Sequence, residues 1–586
     1  MQPVDFTTLT AAYCELRATW LPARLEQVYQ RDRYRICLAL RTLKQRGWLT
    51  VSWHPQAARI HIGDPPPRTP DTFTFSDQLR HQLKGLALVA ISPVAAWERA
   101  LDLQFAKRPG DRVLWHLYVE IMGKRSNVIL ANESNQIVTA AHQVSEQQSR
   151  VRPILTGQPY EPPPALTDPA PSLSESQQRW QERVALIPGK LGRQLLKSYR
   201  GLSSHWANSM IRAADLDPEQ STESLRASDW ERLFQRWQEW LKTLEAWQHG
   251  DLSGLHPQRT SGGYSVIQWG GQSPPKPEDT APSVQALLDR YYCDRLNEGE
   301  FKQLRHQLLQ KLNNLLKKLR VKAQGFERRL DQSALADEYR QKADLLMAHL
   351  HQWEPGMKSM TLADFETGEP IEIELDPEKN AVQNAQGLYK QHQKLKRARS
   401  AVEPLLAQVD REIQYLEQVE VAIAQLDSYR EPMDLQALEE IRDELMQEGY
   451  LRDRDRRSQN QPPATDFYRF ESPSGFELLV GRNNRQNDLL SFRVATEYDL
   501  WFHTQEIAGS HVLLRLDPGA VADKADLQFA ADVTGYFSRA RQSDRVPVVY
   551  TEPKHVYKPK GAKPGMVIYK HERIIWGRPQ QLAPKS

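Results

Sequence analysis

Cysteine is scarce in this sequence: only Cys14, Cys37 and Cys293 occur in 586 residues, and no two of them form a CxxC pair. This scarcity argues against a disulfide scaffold and a structural zinc site, and it is typical of a reducing compartment. Long apolar runs are also missing, since no window approaches the roughly 18 apolar residues that a membrane-spanning helix needs. Residues 1–5 lack the basic segment and apolar run of a secretory signal. The sequence therefore predicts a cytoplasmic protein without a membrane contact.

The chain is long and its positive charge is local. At 586 residues it exceeds what one hydrophobic core supports, so several domains are expected. The net charge is only +3, yet residues 301–330 hold nine Lys/Arg against Glu327 alone, and residues 554–573 hold six against Glu572. Such blocks suit a polyanionic partner, because each neutralised phosphate releases condensed counterions. A solvated helix face explains any one block equally well.

The first two regions differ in the elements they predict. Residues 1–165 are predicted to mix helices with alternating strands and to end at a proline-rich linker, residues 159–164. The second region is residues 176–275, of which residues 176–249 are predicted to be all-helical. In a tight hairpin there, Gly201 ends one helix and Ser203 caps the next.

The third region, residues 283–430, is predicted to be an antiparallel coiled coil with a small tip at about residues 335–385. Heptad positions in the first arm are Phe301, Leu304, Leu308, Leu315, Leu319, Phe326 and Leu330. The second arm continues the pattern at Leu395, Ala398, Val402, Leu405, Val409, Ile413, Leu416, Val419, Ile423 and Leu426, and Pro404 is expected to loosen it. Period-two alternation on both sides of Gly368 predicts a β-hairpin at the tip. Dimerisation through these arms is a less natural alternative, because both lie in one chain.

The fourth region, residues 436–586, is predicted to alternate strands and turns around one helix at 523–538, after a polar linker at 452–463. Its residues 499–512 place Trp501, His503 and His511 close together. Such a unit suits either RNA bases or a reactive site. Because neither histidine has a third partner at a known metal spacing, structural histidines or RNA contacts are favoured over catalysis and over a metal site.

Two loops of this region carry side chains suited to RNA. The first contains Arg482, Asn483, Asn484 and Arg485, which offer bidentate donors and acceptors to bases and phosphates. The second contains Lys558, Lys560 and Lys563 among prolines and glycines. Turn chemistry explains part of both patterns.

The element order of the first region, followed by the helical second region, resembles a formamidopyrimidine DNA glycosylase N-domain with its helix-hairpin-helix-type partner. Those enzymes use a proline directly after the initiator methionine as nucleophile. Gln2 stands there instead, Pro3 comes one residue late, and Val4 replaces the carboxylate. The glycosylase chemistry is therefore absent. Nearby, Glu98 and Arg99 form either a surface ion pair or an oriented guanidinium for a phosphate or base, and the surface pair is favoured.

Taken together, these motifs resemble the NFACT family, the RqcH-like proteins of ribosome-associated quality control, which older descriptions call fibronectin-binding proteins. The resemblance spans nearly the whole chain. It is carried by residues 120–127, 384–386, 394–396, 474–476, 480–488, 499–503, 509–511 and 558–566. It implies a glycosylase-like N-domain, a helix-hairpin-helix-type domain, a coiled coil and an RNA-binding C-terminal domain. An extracellular adhesin is the alternative that the older name suggests, and the sequence has no secretion signal for it.

The resemblance also implies a function. Such proteins bind large ribosomal subunits that still carry peptidyl-tRNA, and the bacterial forms recruit alanyl-tRNA for template-free alanine tailing of the nascent chain. The ribosome makes the bond, so neither a catalytic residue nor a cofactor is expected, and the protein is expected to act as a monomer. The family's Asp-Arg pair corresponds to Glu98-Arg99, with a longer carboxylate. Predicted tRNA contacts are Glu98, Arg99, Lys124 and Arg125. Predicted rRNA or other RNA contacts are Arg482, Asn483, Asn484, Arg485, Trp501, His503, His511, Lys558, Lys560, Lys563, Lys317, Lys318, Lys394 and Arg397.

Overall fold

The computed structural model describes residues 1–66, 70–164, 167–260, 262–270, 276–452 and 466–582. The chain divides into two compact units, Met1–Leu296 and Asn297–Ser586. Beyond Arg452, the polar linker predicted from the sequence lies outside the described residues. Among the residues described, no helix is long and apolar enough to cross a membrane.

The first unit contains a nine-stranded antiparallel sheet. Its strands are β1 (Ala23–Asp32), β2 (Arg35–Arg41), β3 (Arg46–Ser52), β4 (Arg59–Gly63), β5 (Ala87–Pro93), β6 (Ala100–Ala106), β7 (Trp115–Glu120), β8 (Asn127–Asn132) and β9 (Ile137–Ala140). The spatial order is β4-β3-β2-β1-β5-β6-β7-β8-β9. Within this sheet, β1 and β5 are the one pair of neighbouring strands that are not consecutive along the chain. Helices α1 (Phe6–Trp20) and α2 (Thr74–Leu83) accompany the sheet. The sequence predicted β2, β4, β6, β7 and β8, and the structure confirms these five.

Four helices follow, as the sequence predicted. They are α3 (Gln177–Val184), α4 (Leu191–Ser198), α5 (Ser204–Ala213) and α6 (Ala227–Gln248). The Ser203 hydroxyl caps α5 by accepting from the Trp206 backbone N–H, and Gly201 has a φ of +83°, the left-handed geometry that favours glycine. A short hairpin of β10 (Gln258–Thr260) and β11 (Gly263–Ser265) was not predicted.

Tryptophans from these helices form much of the core of the first unit. Trp180, Trp237, Trp240 and Trp247 are fully buried, and the ring centroids of Trp237 and Trp240 lie 5.2 Å apart. Each buried aromatic ring removes a large apolar area from water. This cluster extends to α1, because the Trp240 indole Nε1–H donates to the Thr7 hydroxyl at 3.0 Å.

The second unit is built on long helices. They are α7 (Val284–Ala334), whose turns up to Leu296 belong to the first unit, α8 (Ala336–Ala348), α9 (Ala381–Gln425) and α10 (Pro432–Gln447). Two contacts show that α7 and α9 run antiparallel: Asn297 bonds to Tyr429 near one end, and Arg320 pairs with Glu417 further along. Helix α9 continues through Pro404.

The predicted heptad seam is wrong in part. Leu312 and Leu316 are buried in the helix core, whereas the predicted Leu315 and Leu319 are only partly buried. In the second arm, Leu405 is 45% exposed. For α7, the reason is that α10 adds its own apolar face to the same core. A three-helix core needs a wider apolar face on α7 than the narrow stripe of a two-stranded coil.

A small hairpin lies at the predicted tip. It consists of β12 (Ser359–Ala363) and β13 (Pro370–Glu374), which pair in antiparallel register around a turn in which Gly368 has a φ of +71°. One face of the hairpin packs with α8 and the start of α9 in a separate small core. The hairpin predicted from period-two alternation is therefore confirmed.

The C-terminal part of the second unit is a six-stranded antiparallel sheet. Its strands are β14 (Tyr468–Glu471), β15 (Glu477–Val480), β16 (Leu500–Thr504), β17 (Val512–Leu514), β18 (Val546–Thr551) and β21 (Arg573–Gly577), in the order β14-β15-β17-β16-β18-β21. Helix α12 (Lys524–Tyr536) packs on one face. The other face is covered by α11 (Asn484–Leu489) with the turn after it, and by a hairpin of β19 (Val556–Tyr557) and β20 (Ile568–Tyr569). Both faces of the central strands are therefore covered, whereas Ile574 and Trp576 of the edge strand β21 are each 55% exposed.

Candidate nucleic-acid interface

The first unit contains a cleft of about 1140 Å³. All four residues predicted to contact tRNA, Glu98, Arg99, Lys124 and Arg125, line it together. The N-terminal turn of α5 lines the same cleft through Ser203 and Ser204. The structure thus brings the 98–99 and 124–125 segments, which are separate in the sequence, to one cleft. It also places a helix N-terminus there, and this end of a helix favours negative charge.

The backbone around Trp97 shapes one wall of this cleft. Trp97 has a φ of +62°, a conformation that bulky residues rarely adopt. Its ring stacks on Phe6 with centroids 4.6 Å apart, and a Cβ atom at Gly201 would lie 2.8 Å from that ring. These contacts hold Trp97 in a strained backbone, and they fix the direction in which Glu98 and Arg99 enter strand β6.

The basic side chains of the cleft are placed by short local contacts. The Arg99 guanidinium donates to the Val4 carbonyl at 3.2 Å. Lys124 and Arg125 are exposed on a 3-10 turn whose first residue, Gly123, has a φ of +60°. The turn closes where the Met122 N–H donates to the Ser126 hydroxyl at 2.8 Å. Two exposed cations on a fixed turn can bind successive phosphates.

A buried ion pair forms part of the cleft lining, and no local pattern in the sequence predicts it. The side chains of Glu120 and Arg152 are 1% and 12% exposed. Arg152 Nη1 donates to Glu120 Oε2 at 3.0 Å, and the Tyr160 hydroxyl donates to Glu120 Oε1 at 3.0 Å. Burial, with the nearby Glu120 charge, raises the pKa of Tyr160, which keeps this hydroxyl protonated as a donor. The pair fixes the loop before residue 159 against strand β7.

In the second unit, the predicted loop at residues 482–485 faces the protein rather than solvent. Arg482 is 6% exposed and pairs with Glu431 and Asp434. The amide nitrogens of Asn483 and Asn484 donate to Glu440 and Glu444 of α10 at 2.7 and 3.1 Å. Arg485 bonds to Gln447. These side chains satisfy a row of acids on α10, so direct RNA contact is not supported for Arg482, Asn483 or Asn484 in this conformation.

The cluster at residues 499–512 is also internal. Trp501, His511 and His503 are 0%, 1% and 9% exposed. The Trp501 indole N–H donates to the Ser491 hydroxyl at 2.9 Å, and Ser491 Oγ lies 2.8 Å from His511 Nδ1. Burial lowers the pKa of His503 to about 4 and that of His511 to about 3, so both rings are neutral near pH 7. A stacking platform for RNA bases is not supported here, because the face that carries Trp501 is covered.

The remaining predicted contacts lie at or near the surface. Lys317, Lys318, Lys394 and Arg397 are exposed on α7 and α9. Lys560 is exposed, Lys558 pairs with Asp488, and Lys563 is half-buried. No group of three or more His, Cys, Asp or Glu side chains that could hold a metal ion is found within the described part of the chain.

The buried carboxyl of Glu444 makes the stability of the second unit pH-dependent. Glu444 is 1% exposed. Its Oε1 accepts from Tyr415 and Asn484, while Oε2 has no hydrogen-bond partner among the described residues. Burial raises the pKa of Glu444 from 4.5 to about 7. The unfolded chain therefore loses this proton near pH 4.5 and the folded chain only near pH 7. The raised pKa of Glu444 therefore contributes to the free energy of unfolding in full below pH 4.5, and this contribution is lost as the pH rises through 7.

We expect Glu444→Gln to remove this pH dependence. A glutamine oxygen can accept both hydrogen bonds, and the amide has no proton to lose. Relative to wild type, the free energy of unfolding of the variant should rise by up to about 3 kcal/mol between pH 4.5 and 7.5. Urea unfolding at several pH values measures the difference. The matched control is Glu372→Gln, an exposed carboxylate of the same unit. Parallel profiles for Glu444→Gln and wild type would contradict the expectation.

These features define a multidomain mixed α/β protein with a large antiparallel sheet, long paired helices, a basic cleft and a C-terminal sheet domain. Residues 5–463 match the family described as NFACT N-terminal and middle domains. Residues 466–571 match the family described as NFACT protein RNA binding domain. The chain belongs to the NFACT family.

Similar proteins are found over nearly the full length. The chain is 30% identical over 582 residues to a protein of Streptococcus suis named Rqc2 homolog RqcH, covering 98% of this chain and 97% of that protein. It is 30% identical over 575 residues to the Bacillus subtilis protein of the same name, covering 96% of each. Among solved structures, the C-terminal part of the fibronectin/fibrinogen-binding protein from Streptococcus suis is 31% identical. That match covers 48% of this chain and 95% of the solved one, with a TM-score of 0.36.

Proposed function

We propose that this protein acts in ribosome-associated quality control. In this role it binds stalled large ribosomal subunits that carry peptidyl-tRNA and recruits alanyl-tRNA for template-independent alanine tailing of the nascent chain. Near-full-length similarity to proteins named Rqc2 homolog RqcH supports the role, as does the match to an RNA-binding domain. The partners are then the large subunit, both tRNAs and the nascent chain, all in the cytoplasm.

The observation that carries the proposal is the convergence of Glu98, Arg99, Lys124 and Arg125 on one cleft. Arginine and lysine there can hold backbone phosphates, and a carboxylate beside a guanidinium can orient that guanidinium or accept from a base. Glu98 is one methylene longer than the family's aspartate.

The protein needs no catalytic side chain of its own in this scheme. Peptide bond formation takes place on the ribosome, and the protein supplies binding and orientation of the aminoacylated tRNA. Holding a reactant in place lowers the entropic part of the barrier without any covalent step on the protein. The exposed cations Lys317, Lys318, Lys394 and Arg397 on the paired helices supply further contacts to ribosomal RNA.

Two double variants test the cleft. Glu98→Ala/Arg99→Ala and Lys124→Ala/Arg125→Ala should each lower recovery of tRNA with the purified protein by about tenfold, because each removes one or two phosphate contacts. Sedimentation of the protein with purified large subunits that carry peptidyl-tRNA should persist. Arg108→Ala, an exposed arginine of the same unit outside the cleft lining, is the matched control.

Measuring both tRNA recovery and sedimentation with large subunits distinguishes a misfolded variant from a wrong assignment of the cleft. Equal loss of tRNA recovery and subunit binding would indicate misfolding, which circular dichroism checks directly. Unchanged tRNA recovery in both double variants would remove the cleft from the mechanism. A wild-type protein that fails to sediment with large subunits at low salt would refute the proposed function itself. Sequencing of the recovered tRNA tests the alanine identity.

A further inference from the structure

The loop at residues 558–566, called here the lysine loop, is built from two consecutive turns. In the first, the Ala562 N–H donates to the Pro559 carbonyl at 3.0 Å, and Gly561 has a φ of +76°. In the second, the Met566 N–H donates to the Lys563 carbonyl at 3.2 Å, and Gly565 has a φ of +75°. Glycine at the third position, where φ is positive, is the signature of type II turns, so the local sequence encodes the loop's shape.

One carboxylate holds both ends of the lysine loop. Asp488 of α11 pairs with the Lys558 ammonium through Oδ2 and accepts the Gly565 N–H through Oδ1 at 3.1 Å. The fit at Gly565 is close, since a Cβ atom there would lie 2.6 Å from the Asn484 side-chain oxygen. The charge of Lys558 is therefore already paired within the protein.

Lys563 anchors the same loop to the long helices. Its ammonium lies 4.7 Å from the ring centroid of Tyr415 and 4.2 Å from that of Tyr450, and it donates to the Tyr450 hydroxyl. A cation between two aromatic faces is attracted by both ring quadrupoles. Tyr415 is itself fixed, because it is fully buried and donates to Glu444 at 2.8 Å. Met566 adds an apolar contact to the core of the paired helices.

Lys560 differs from both neighbours. It occupies the second position of the first turn and is exposed. No ion pair of Lys560 is found among the residues that the structure describes. A cation that projects from the corner of a rigid turn is well placed for a phosphate, because little backbone freedom of the loop remains to be lost on binding.

We infer that Lys563 is a positioning residue: it holds the lysine loop against the helices so that Lys560 meets an RNA phosphate, and it does not contact RNA itself. The inference rests on the proposed RNA-binding role and assigns different tasks to three lysines that the sequence treats alike. Lys558 shares the positioning task through Asp488.

The salt dependence of RNA binding distinguishes a contact from an anchor. Each phosphate contact contributes a fixed amount to the slope of log affinity against log salt concentration, whereas an anchor contributes none. The full chain is titrated with deproteinised large-subunit ribosomal RNA at several salt concentrations. The variants are Lys560→Ala, Lys563→Met, which keeps an unbranched side chain without the charge, and Lys563→Arg, which keeps the cation over the rings.

We expect Lys560→Ala to lower the slope by about one. Lys563→Met should keep the wild-type slope but weaken binding roughly tenfold at every salt concentration, since a loosened loop must be ordered on binding. Lys563→Arg should restore most of the affinity. Backbone hydrogen exchange in residues 558–566 should be faster in Lys563→Met and unchanged in Lys560→Ala.

Two results would overturn the inference. One is a slope that falls by about one in Lys563→Met, as in Lys560→Ala, because Lys563 would then be a phosphate contact. The other is unchanged exchange and unchanged affinity in Lys563→Met, which would mean that the loop is held without it. If wild type binds no ribosomal RNA, the RNA-binding role fails, while the exchange measurement still decides whether Lys563 anchors the loop.

Discussion

Replacing Arg152 with alanine is expected to lower the free energy of unfolding of the first unit by about 3–5 kcal/mol. The change leaves Glu120, whose side chain is 1% exposed, without its cation. Only the Tyr160 hydroxyl then remains among its described side-chain partners. A buried carboxylate that has lost its ion pair carries nearly its whole desolvation cost. Chemical denaturation followed by far-ultraviolet circular dichroism measures the loss.

Arg112→Ala is the matched control for this experiment. Arg112 and Glu133 form an ion pair at 3.4 Å in the same unit, but their side chains are 75% and 43% exposed. Water screens such a pair, so its loss should cost less than about 1 kcal/mol. The double variant Glu120→Gln/Arg152→Met should recover part of the stability, because it removes both charges together. Equal losses for Arg152→Ala and Arg112→Ala would contradict the assignment of a buried pair.

Replacing Trp240 with alanine should have an effect of similar size on the first unit. Trp240 is fully buried, and its ring centroid lies 5.2 Å from that of Trp237 and 5.6 Å from that of Trp97. Truncation of a buried tryptophan leaves a large cavity and costs about 3–5 kcal/mol. The loss should extend to the cleft, because Trp97 forms its wall. Weaker tRNA recovery is therefore expected from the folded fraction of the variant.

A graded substitution separates packing from hydrogen bonding at this position. Trp240→Phe keeps an aromatic ring but removes the N–H that donates to Thr7. The expected cost is about 1–2 kcal/mol, from a smaller cavity and one unmet hydroxyl. A cost for phenylalanine as large as that for alanine would show that the hydrogen bond, rather than ring volume, dominates.

Local patterns in the sequence were sufficient for many elements of the fold. Period-two alternation marked the strand that the structure places at Arg35–Arg41, and the tip hairpin followed from the same rule. Ser203 begins α5 as its capping chemistry requires, whereas α4 ends at Ser198, before Gly201. These features depend on residues within a few positions of one another, and so a single sequence reveals them.

The direction in which polar groups point could not be predicted. The sequence shows that Asn483 and Asn484 are polar but not which groups they bind. Their hydrogen-bond partners on α10 lie about 40 residues earlier in the chain. Trp501 and His503 were predicted to contact RNA, whereas separate elements cover both faces of their strand. The Glu120–Arg152 pair spans 32 residues without any periodicity. Each case depends on tertiary packing, which leaves no local pattern.

The sequence predicted some of the residues that line the cleft but not the shape of the cleft. The resemblance to the NFACT family supplied Glu98, Arg99, Lys124 and Arg125, and all four line it. The left-handed backbone of Trp97 was not readable, because tryptophan has no preference for that conformation and only its contacts with Phe6 and Gly201 hold it there. Tertiary contacts thus decide the shape of a site whose charges the sequence already displays.

The concentration of tryptophan in the first unit has an optical consequence. Twelve of the fifteen tryptophans precede residue 297, and the second unit contains only Trp353, Trp501 and Trp576. Rings in the first unit lie 5–6 Å apart, close enough for excitation energy to pass between them. Intrinsic fluorescence of the whole protein therefore reports mainly on one half of it. An emission shift during denaturation would follow the first unit, while the other half could unfold almost unseen.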